Sequence, residues 1–336
     1  MTQPKSLIWL ADAIEAAIDR YPALWVEGAT LAFSGGKDSI ALAAGLAATG
    51  RAPRLRAVDM GYNPEWRHRI LTLGEALGQH VDIVVVADVM RDDRTEPGIR
   101  RDLALRRAFL DQDNSANPIV TPCTNCYNCK ILSLVDATRR DVPTILFAHH
   151  ATDALSSFVK TALMYIDRWD DGHRLFDRDR FRSLGKRMAQ ALRDGERSTM
   201  EKLTSLLDAR LAHTAEPPFE HRMLQGHPYS IGRPLFFVQE SATARLVRDL
   251  GIDAEGSGCG HTAAAATRTP REIVHHELLP MIAETEVGRT TLQDLAARLT
   301  DSLRSDGTID IDIRAARHSL LGPDYKGGPT TLADRL

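Results

Sequence analysis

Two groups of residues in this chain have the types and spacing to do chemistry. The first is Ser34-Gly35-Gly36-Lys37-Asp38-Ser39. Adjacent glycines let a backbone turn sharply and approach a ligand closely. A helix starting here presents N–H groups without intrahelical partners and the positive end of its dipole. Ser34 and Ser39 add hydroxyl donors and Lys37 adds a charge, so the set suits a phosphate anion. The spacing is too short for the G-x-x-x-x-G-K-[ST] loop. The second group is the cysteines. There are four, and Cys123, Cys126 and Cys129 form C-x-x-C-x-x-C while Cys259 lies far downstream. This clustering points to a metal, an iron–sulfur cluster or sulfur chemistry, not to a disulfide framework. Four thiolates also suit tetrahedral zinc, and that alternative stays open.

The elements that must position these residues follow from hydrophobic periodicity. Leu7, Leu10, Ile14, Ala17 and Ile18 recur at helical spacing over residues 5–21, and Pro22 ends the pattern. Ala29–Phe33 predicts a strand that stops at the Ser34 loop, and an Ala/Leu-rich helix follows from Asp38 to about Thr49. Further strands are predicted at Arg54–Met60, Val81–Val86 and Thr144–Ala148, with helices at Glu65–Leu77, Lys130–Arg140 and Asp153–Tyr165. Strands alternating with helices of roughly 10–15 residues predict an α/β fold with a doubly wound parallel sheet, apolar on both faces. From Asp167 to Arg222 the chain is dense in both charges, which predicts a helical insertion with a solvated face. A last strand is expected at Ser230–Phe237, a helix at Ser241–Leu250, helices over 270–304 and a loose tail after Leu320. The expected organisation is an N-terminal helix (1–24), a nucleotide-binding core (25–166), a charged helical insertion (167–222), a return to the core (223–265) and a helical C-terminal extension (266–336).

Composition narrows the function classes. Lys+Arg is 42 against Asp+Glu 45, a net charge of −3, which excludes coating nucleic acid by charge alone and leaves room for a local basic groove. No apolar stretch approaches the roughly 18 residues of a membrane span. The first residues lack a basic start, an apolar core and a small-residue cleavage site, so a cytoplasmic location is expected.

Ser34–Ser39, SGGKDS, resembles the signature of the PP-loop, or N-type ATP pyrophosphatase, superfamily. The resemblance implies cleavage of ATP between its α and β phosphates, adenylation of a substrate carbonyl oxygen, and displacement of AMP by a nucleophile. It implies that the loop grips pyrophosphate and that Asp59-Met60-Gly61 lines the adenine and ribose pocket. The order of Cys123-Thr124-Asn125-Cys126 with Lys130, then Ala148-His149-His150-Ala151-Thr152-Asp153, then Arg233-Pro234-Leu235 and Gly258-Cys259-Gly260 is similar to that of the iron–sulfur-dependent tRNA 2-thiocytidine and 2-thiouridine synthetases, over about residues 25–165 and 230–265. That resemblance implies a [4Fe–4S] cluster on Cys123, Cys126 and Cys259, with the fourth iron open to a sulfide. It implies catalytic roles for Lys130, stabilising negative charge, and for Asp153, holding Mg²⁺ or assisting proton transfer. His149 and Arg233 go with the nucleotide. The cofactors implied are ATP, Mg²⁺ and the cluster. The partners are tRNA or a small nucleobase and a sulfur donor (sulfide or the product of a cysteine desulfurase), with no membrane and a homodimer as the candidate assembly.

The chain departs from that pattern in places. Cys129 is an additional thiol that fits a fourth ligand, a catalytic persulfide carrier or a spare. The usual G-H-x-x-D-D-x-x-E-T has Thr152 for its first Asp and Ser156 for its Glu. The flanking zinc-finger cysteines of the 2-thiouridine type are absent, which brings the 2-thiocytidine type closer. Arg174, Arg178, Arg180, Arg182, Lys186, Arg187 and Arg193 of the insertion fit either an RNA groove or a solvated ion-pair helix. A thiolase of tRNA is the expected function. Thiolation of a free nucleobase or small natural-product precursor is the alternative, DNA phosphorothioation a more remote one, and a non-catalytic adenine-nucleotide sensor with structural zinc the alternative of another class. His149 also fits a strand-end residue and Asp153 a helix cap.

Overall fold

The structure, a computed structural model, describes residues 3–111, 122–139, 141–171, 177–206, 217–224, 226–254 and 270–301. Cys259 with its Gly-rich turn and the tail after Leu320 lie outside the described residues. Six strands make one sheet: β1 (Thr30–Ala32), β2 (Arg54–Asp59), β3 (Val81–Val85), β4 (Thr144–Leu146), β5 (Phe219–Leu224) and β6 (His227–Gly232). Their order is β3-β2-β1-β4-β6-β5. All neighbours are parallel except β5, which pairs antiparallel with β6 at the edge. The chain winds outward from β1 in both directions, to β2 on one side and β4 on the other. Such a reversal opens a crevice beyond the carboxyl ends of the two central strands.

The predicted doubly wound sheet is present, with two differences. The last parallel strand ends at Gly232 instead of running on to Phe237, because Pro234 has no N–H to give a ladder. The edge strand β5 was not foreseen, since its residues FEHRML are half charged.

Helices cover both faces. On one, α1 (Lys5–Arg20), α2 (Lys37–Ala48) and, later in the chain, the helix Glu240–Asp249 bury Leu10, Ile14, Ile40, Leu42, Leu46 and Leu246 against Leu31. α2 is apolar nearly all round, as a helix between a sheet and other helices must be. α3 (Pro64–Ala76) packs by β3. On the opposite face α4 (Val86–Arg91), α5 (Pro97–Asp111) and α6 (Pro122–Thr138) bury Ile99, Leu103, Leu132 and Val135 against Ile145 and Ile231. α6 starts eight residues earlier than the predicted Lys130 start, with Pro122 at its first position, where the missing N–H is harmless. The cysteine motif therefore lies inside this helix.

A third apolar cluster stands apart from the sheet. α7 (Ala151–Asp171), α8 (Arg178–Arg193) and α9 (Arg197–Leu206) supply Phe158, Val159, Phe181, Met188, Leu192 and Leu203. After α10 (Glu240–Asp249), the C-terminal segment adds α11 (Pro270–Ile273), a π-turn (Val274–Leu278), α12 (Leu279–Ala283) and α13 (Glu286–Asp301), with Ile273, Leu278 and Ile282 in the same cluster. α8 is the predicted insertion helix. Phe181, Gly185, Met188, Ala189 and Leu192 form its buried stripe, and Lys186 and Arg187 are exposed. Asp177 caps it by accepting from the N–H groups of Asp179 and Arg180. Among the described residues no helix is long and apolar enough to cross a membrane.

Candidate active site

The crevice between β1 and β4 holds a cavity of about 360 Å³. The loop after β1 lines it with Ser34, Gly36, Asp38 and Ser39, the end of β2 with Asp59 and Met60, and the end of β4 with His149 and Asp153. Helix α6 adds Cys126, Tyr127 and Lys130, and Arg271 comes from the C-terminal extension. Gly35 makes the sharp turn at φ +75°, where a Cβ would lie 2.6 Å from Ile70 Cδ1. A side chain at this position is disfavoured by backbone and neighbours together. Ser39 Oγ donates to the Gly36 carbonyl (2.9 Å) and lies 3.2 Å from Ser34 Oγ, so the two hydroxyls brace the turn.

The charged residues of the loop belong to a chain of ion pairs. Lys37 Nζ donates to Asp38 (2.8 Å) and to Glu240 Oε1 (2.6 Å) at the start of α10, and Lys37 does not line the cavity. Burial lowers the Lys37 pKa, but the bonds to Asp38 and Glu240 outweigh it and the net shift is upward. Asp38 also accepts from Thr243 Oγ1 (2.5 Å) and from His150 Nε2 (3.1 Å). Burial raises its pKa, and the bonds from His150, Lys37 and Thr243 overcome this to hold it below its usual value. His150 is buried, with Nδ1 2.8 Å from the Val238 carbonyl. Both of its ring nitrogens face acceptors, so the imidazolium form satisfies both. Its pKa is raised accordingly, Asp38 outweighing burial. His275 repeats the arrangement. Nε2 meets Glu240 Oε2 at 2.9 Å, and Nδ1 meets Ser156 Oγ at 3.1 Å while that hydroxyl donates to the Thr152 carbonyl. The bond to Glu240 raises the His275 pKa, and the His275 bond in turn, ahead of Lys37, drives Glu240 far below the usual carboxylate range.

Asp153 is held on both oxygens. Oδ2 accepts from the His150 N–H (2.9 Å) and Oδ1 from Arg271 Nη2 (2.7 Å). Lys37 and Arg271 thus stand against Asp38, Asp153 and Glu240, with the His150 and His275 rings bonded between them. The Asp38 and Asp153 carboxylates are held by N–H and O–H donors.

At the end of β2, Asp59 accepts from the Gly61 N–H (2.7 Å) and from Arg67 Nη2 (2.7 Å). Arg107 donates to the Met60 carbonyl and lies 4.6 Å over the Tyr62 ring. On the far wall Cys126 is half-buried at the cavity, one helical turn from Lys130. Cys129 has 0% exposure inside the apolar cluster of β4, α5 and α6. The Cys123 side chain lies outside the described residues. Among the described residues no three His, Cys, Asp or Glu side chains are grouped to hold a metal ion.

Of the residues singled out in the sequence, Ser34, Gly36, Asp38, Ser39, Asp59, Met60, Cys126, Lys130, His149 and Asp153 line this one cavity. Arg233 does not. It is 0% exposed, and its guanidinium donates to Glu220 Oε1 (2.7 Å) and the Pro217 carbonyl (2.5 Å), tying the turn after β6 to the start of β5. His149 rests its ring on Phe147, 5.4 Å between centroids, and its neighbour His150 meets the loop carboxylate. Sequence reasoning missed Glu240, His275, Arg271 and Thr243. No local motif marks them, because each works through a partner more than 30 residues away in the chain.

No protein-family model matches the chain, and no curated protein matches it in sequence. Among solved structures, the U34-tRNA thiolase NcsA from Methanococcus maripaludis with its [4Fe–4S] cluster is similar over 96% of this chain and 89% of its own, with a TM-score of 0.51 and 14% identity. At that identity the likeness is one of fold. Together with the Ser34–Ser39 loop at the sheet's crevice, it shows that this chain has the doubly wound PP-loop fold, shared along nearly its whole length with an iron–sulfur tRNA thiolase.

Proposed function

We propose that the protein is an ATP-dependent sulfurtransferase that replaces a nucleobase carbonyl oxygen with sulfur, acting on tRNA. The observation that supports this is the meeting of two different chemistries in one cavity, the Ser34–Ser39 loop on one wall and Cys126 with Lys130 on the other. In the first step the carbonyl oxygen attacks the α-phosphorus of ATP. The O–P bond forms, the bond to the β-phosphate oxygen breaks, and pyrophosphate leaves. In the second step hydrosulfide attacks the activated carbon. The C–S bond forms, the C–O bond breaks, AMP leaves with the oxygen, and the S–H proton is lost as C=S forms. The loop of Ser34–Ser39 holds the departing pyrophosphate, Asp59 and Met60 flank the nucleoside, and Lys130 offsets negative charge developing at the reacting centre.

Cys126 at the cavity wall, with Cys123 one turn before it in the same helix, fits thiolate ligation of a cluster. Cys123, Cys126 and Cys259 would hold a [4Fe–4S] cluster, which supplies an open iron for the sulfide. The burial of Cys129 favours the spare thiol among its three candidate roles. Mg²⁺ accompanies the nucleotide's phosphates and is not assigned to a side chain.

A second reading keeps the chemistry and changes the acceptor to a free nucleobase or small precursor. It is favoured by the insertion, where Arg182 is paired with Glu277 (2.9 Å) and Arg193 with Glu284 (2.8 Å), leaving less basic surface for RNA. The test is to incubate anaerobically prepared protein with ATP, sulfide and either bulk tRNA or free bases, following AMP, pyrophosphate and the mass gain of sulfur for oxygen. Thiolated tRNA, with binding that weakens steeply as salt rises, supports the first reading. Thiolation of a free base with no salt-sensitive tRNA binding supports the second. Release of ADP and phosphate in place of AMP and pyrophosphate overturns both.

A further inference from the structure

Arg271 is a cation in the cavity that the phosphate-loop motif does not account for. We propose that Arg271, carried by the C-terminal extension, binds the phosphate chain of the nucleotide, and that Asp153 positions it there instead of ligating a metal ion. The inference rests on the reading that the cavity takes ATP.

Four observations carry it. Arg271 lines the same cavity as Ser34, Gly36, Asp38 and Ser39. Lys37, the loop's own cation, is turned to Asp38 and Glu240 and does not line that cavity. Arg56, also in the lining, is engaged with Asp141 (3.0 Å) and the Ala137 carbonyl (2.8 Å). Finally, Arg271 is 39% exposed while it holds Asp153 at 2.7 Å. A guanidinium carries five N–H donors in a planar fork, so bonding one carboxylate oxygen with Nη2 is compatible with gripping a phosphate.

The carboxylate is placed for positioning. Asp153 Oδ2 accepts from the His150 N–H, and the His150 ring meets Asp38 of the loop at 3.1 Å, so Arg271 is registered to the loop through two intervening side chains. Ser156, in the same helix as Asp153, receives His275, one turn beyond Arg271 on the extension. Two side chains of the extension therefore meet the first turns of α7.

The experiment measures equilibrium binding of ATP, pyrophosphate and adenosine to the full chain over a series of Mg²⁺ concentrations, with thermal midpoints as the folding control. Arg271→Gln is expected to weaken ATP and pyrophosphate by about tenfold or more and to leave adenosine unchanged. Arg271→Lys is expected to recover part of the loss. Asp153→Asn should weaken ATP less, with no further effect in the Arg271→Gln background, and should keep the wild-type Mg²⁺ dependence. Unchanged ATP affinity in Arg271→Gln overturns the proposal, as does an equal loss of ATP and adenosine, which would make Arg271 a brace for the fold. Loss of Mg²⁺ dependence in Asp153→Asn returns that carboxylate to metal ligation and overturns the second half. Should Arg271→Gln fail to fold, wild-type ATP affinity in the more conservative Arg271→Lys overturns the proposal. Wild-type protein that binds no nucleotide at all sinks the nucleotide reading itself, a result distinct from failure of the variants alone.

Discussion

Glu240 Oε1 lies 2.6 Å from Lys37 Nζ, although 203 residues separate them in the chain. The start of α10 thereby closes on the start of α2, and the loop's lysine is held by two carboxylates. His275 stands behind Glu240, so the C-terminal extension completes the arrangement. Glu240→Gln removes the charge that draws Lys37 and His275 together. Pyrophosphate release by this variant is expected to fall about tenfold, with the far-ultraviolet circular dichroism unchanged. Wild-type turnover would show that Lys37 works without its second partner.

The same group of side chains sets a pH dependence of stability. His275 has its pKa raised by the bond to Glu240, so its stabilisation is complete below its ordinary value of 6.5 and is lost as pH rises through the raised one. Glu240 has its pKa lowered by the His275 bond, so its stabilisation is present above 4.5 and is lost as pH falls through the depressed one. Both contributions are in force between those two ordinary values. His275→Gln is therefore expected to lower the thermal midpoint most at about pH 5.5 and by less at about pH 9. A difference independent of pH would show that the ring acts only by packing.

Gly35→Ala tests the loop geometry. The left-handed backbone costs an L-residue about 1–2 kcal/mol, and the new Cβ would in addition press on Ile70. Gly50 has nearly the same φ, +77°, with nothing within 4 Å of a Cβ, so Gly50→Ala isolates the backbone contribution. Urea unfolding is expected to show Gly35→Ala as the more destabilised, and only that variant should lose nucleotide affinity.

The thiols divide by location. Cys126 faces the cavity and Cys129 is sealed in the apolar cluster. In metal-free protein an alkylating agent is expected to modify Cys126 under native conditions and to reach Cys129 only on unfolding. Cys129→Ala should keep the iron content of anaerobically prepared protein, and Cys126→Ala should lose it. Loss of iron in both would make Cys129 a ligand and require α6 to rearrange.

Arg233 and Glu220, with 0% and 1% side-chain exposure, form a buried ion pair. Glu220 keeps a second cation, Arg222 at 2.7 Å, so removing Arg233 costs about 1.5–3 kcal/mol for the lost charged bond without stranding the carboxylate. Arg233→Met is expected to lower the unfolding free energy by that order, while nucleotide affinity per folded molecule stays at the wild-type level. A specific loss of nucleotide affinity at unchanged stability would instead return Arg233 to the site.

Much of this was legible in the sequence because the signals are local. The Leu31–Ser39 passage carries its own strand, glycine turn and helix start, and the alternation of apolar strands with helical stripes specifies the winding. What was not legible is relational. Glu240, Thr243, Arg271 and His275 are ordinary surface residue types, and tertiary approach alone gives them roles. β5 was hidden because Glu220, which a strand pattern would place outward, is buried on Arg233. The start of α6 was hidden because the apolar pattern begins only near Lys130, while Pro122 is tolerated at a first helical position.

Arg271 and His275 bond Asp153 and Glu240 from a segment whose apolar side chains pack in the third cluster, not against the sheet. A local opening that lifts α11 and the π-turn from α7 breaks both bonds and withdraws Arg271 from the cavity. Linkage makes this reciprocal: a ligand on the loop that engages Arg271 raises the free energy of that opening. Backbone amides of α8 and α12, which line no part of the cavity, are then expected to gain protection against hydrogen exchange when nucleotide is added, so that the insertion would report on occupancy at a distance.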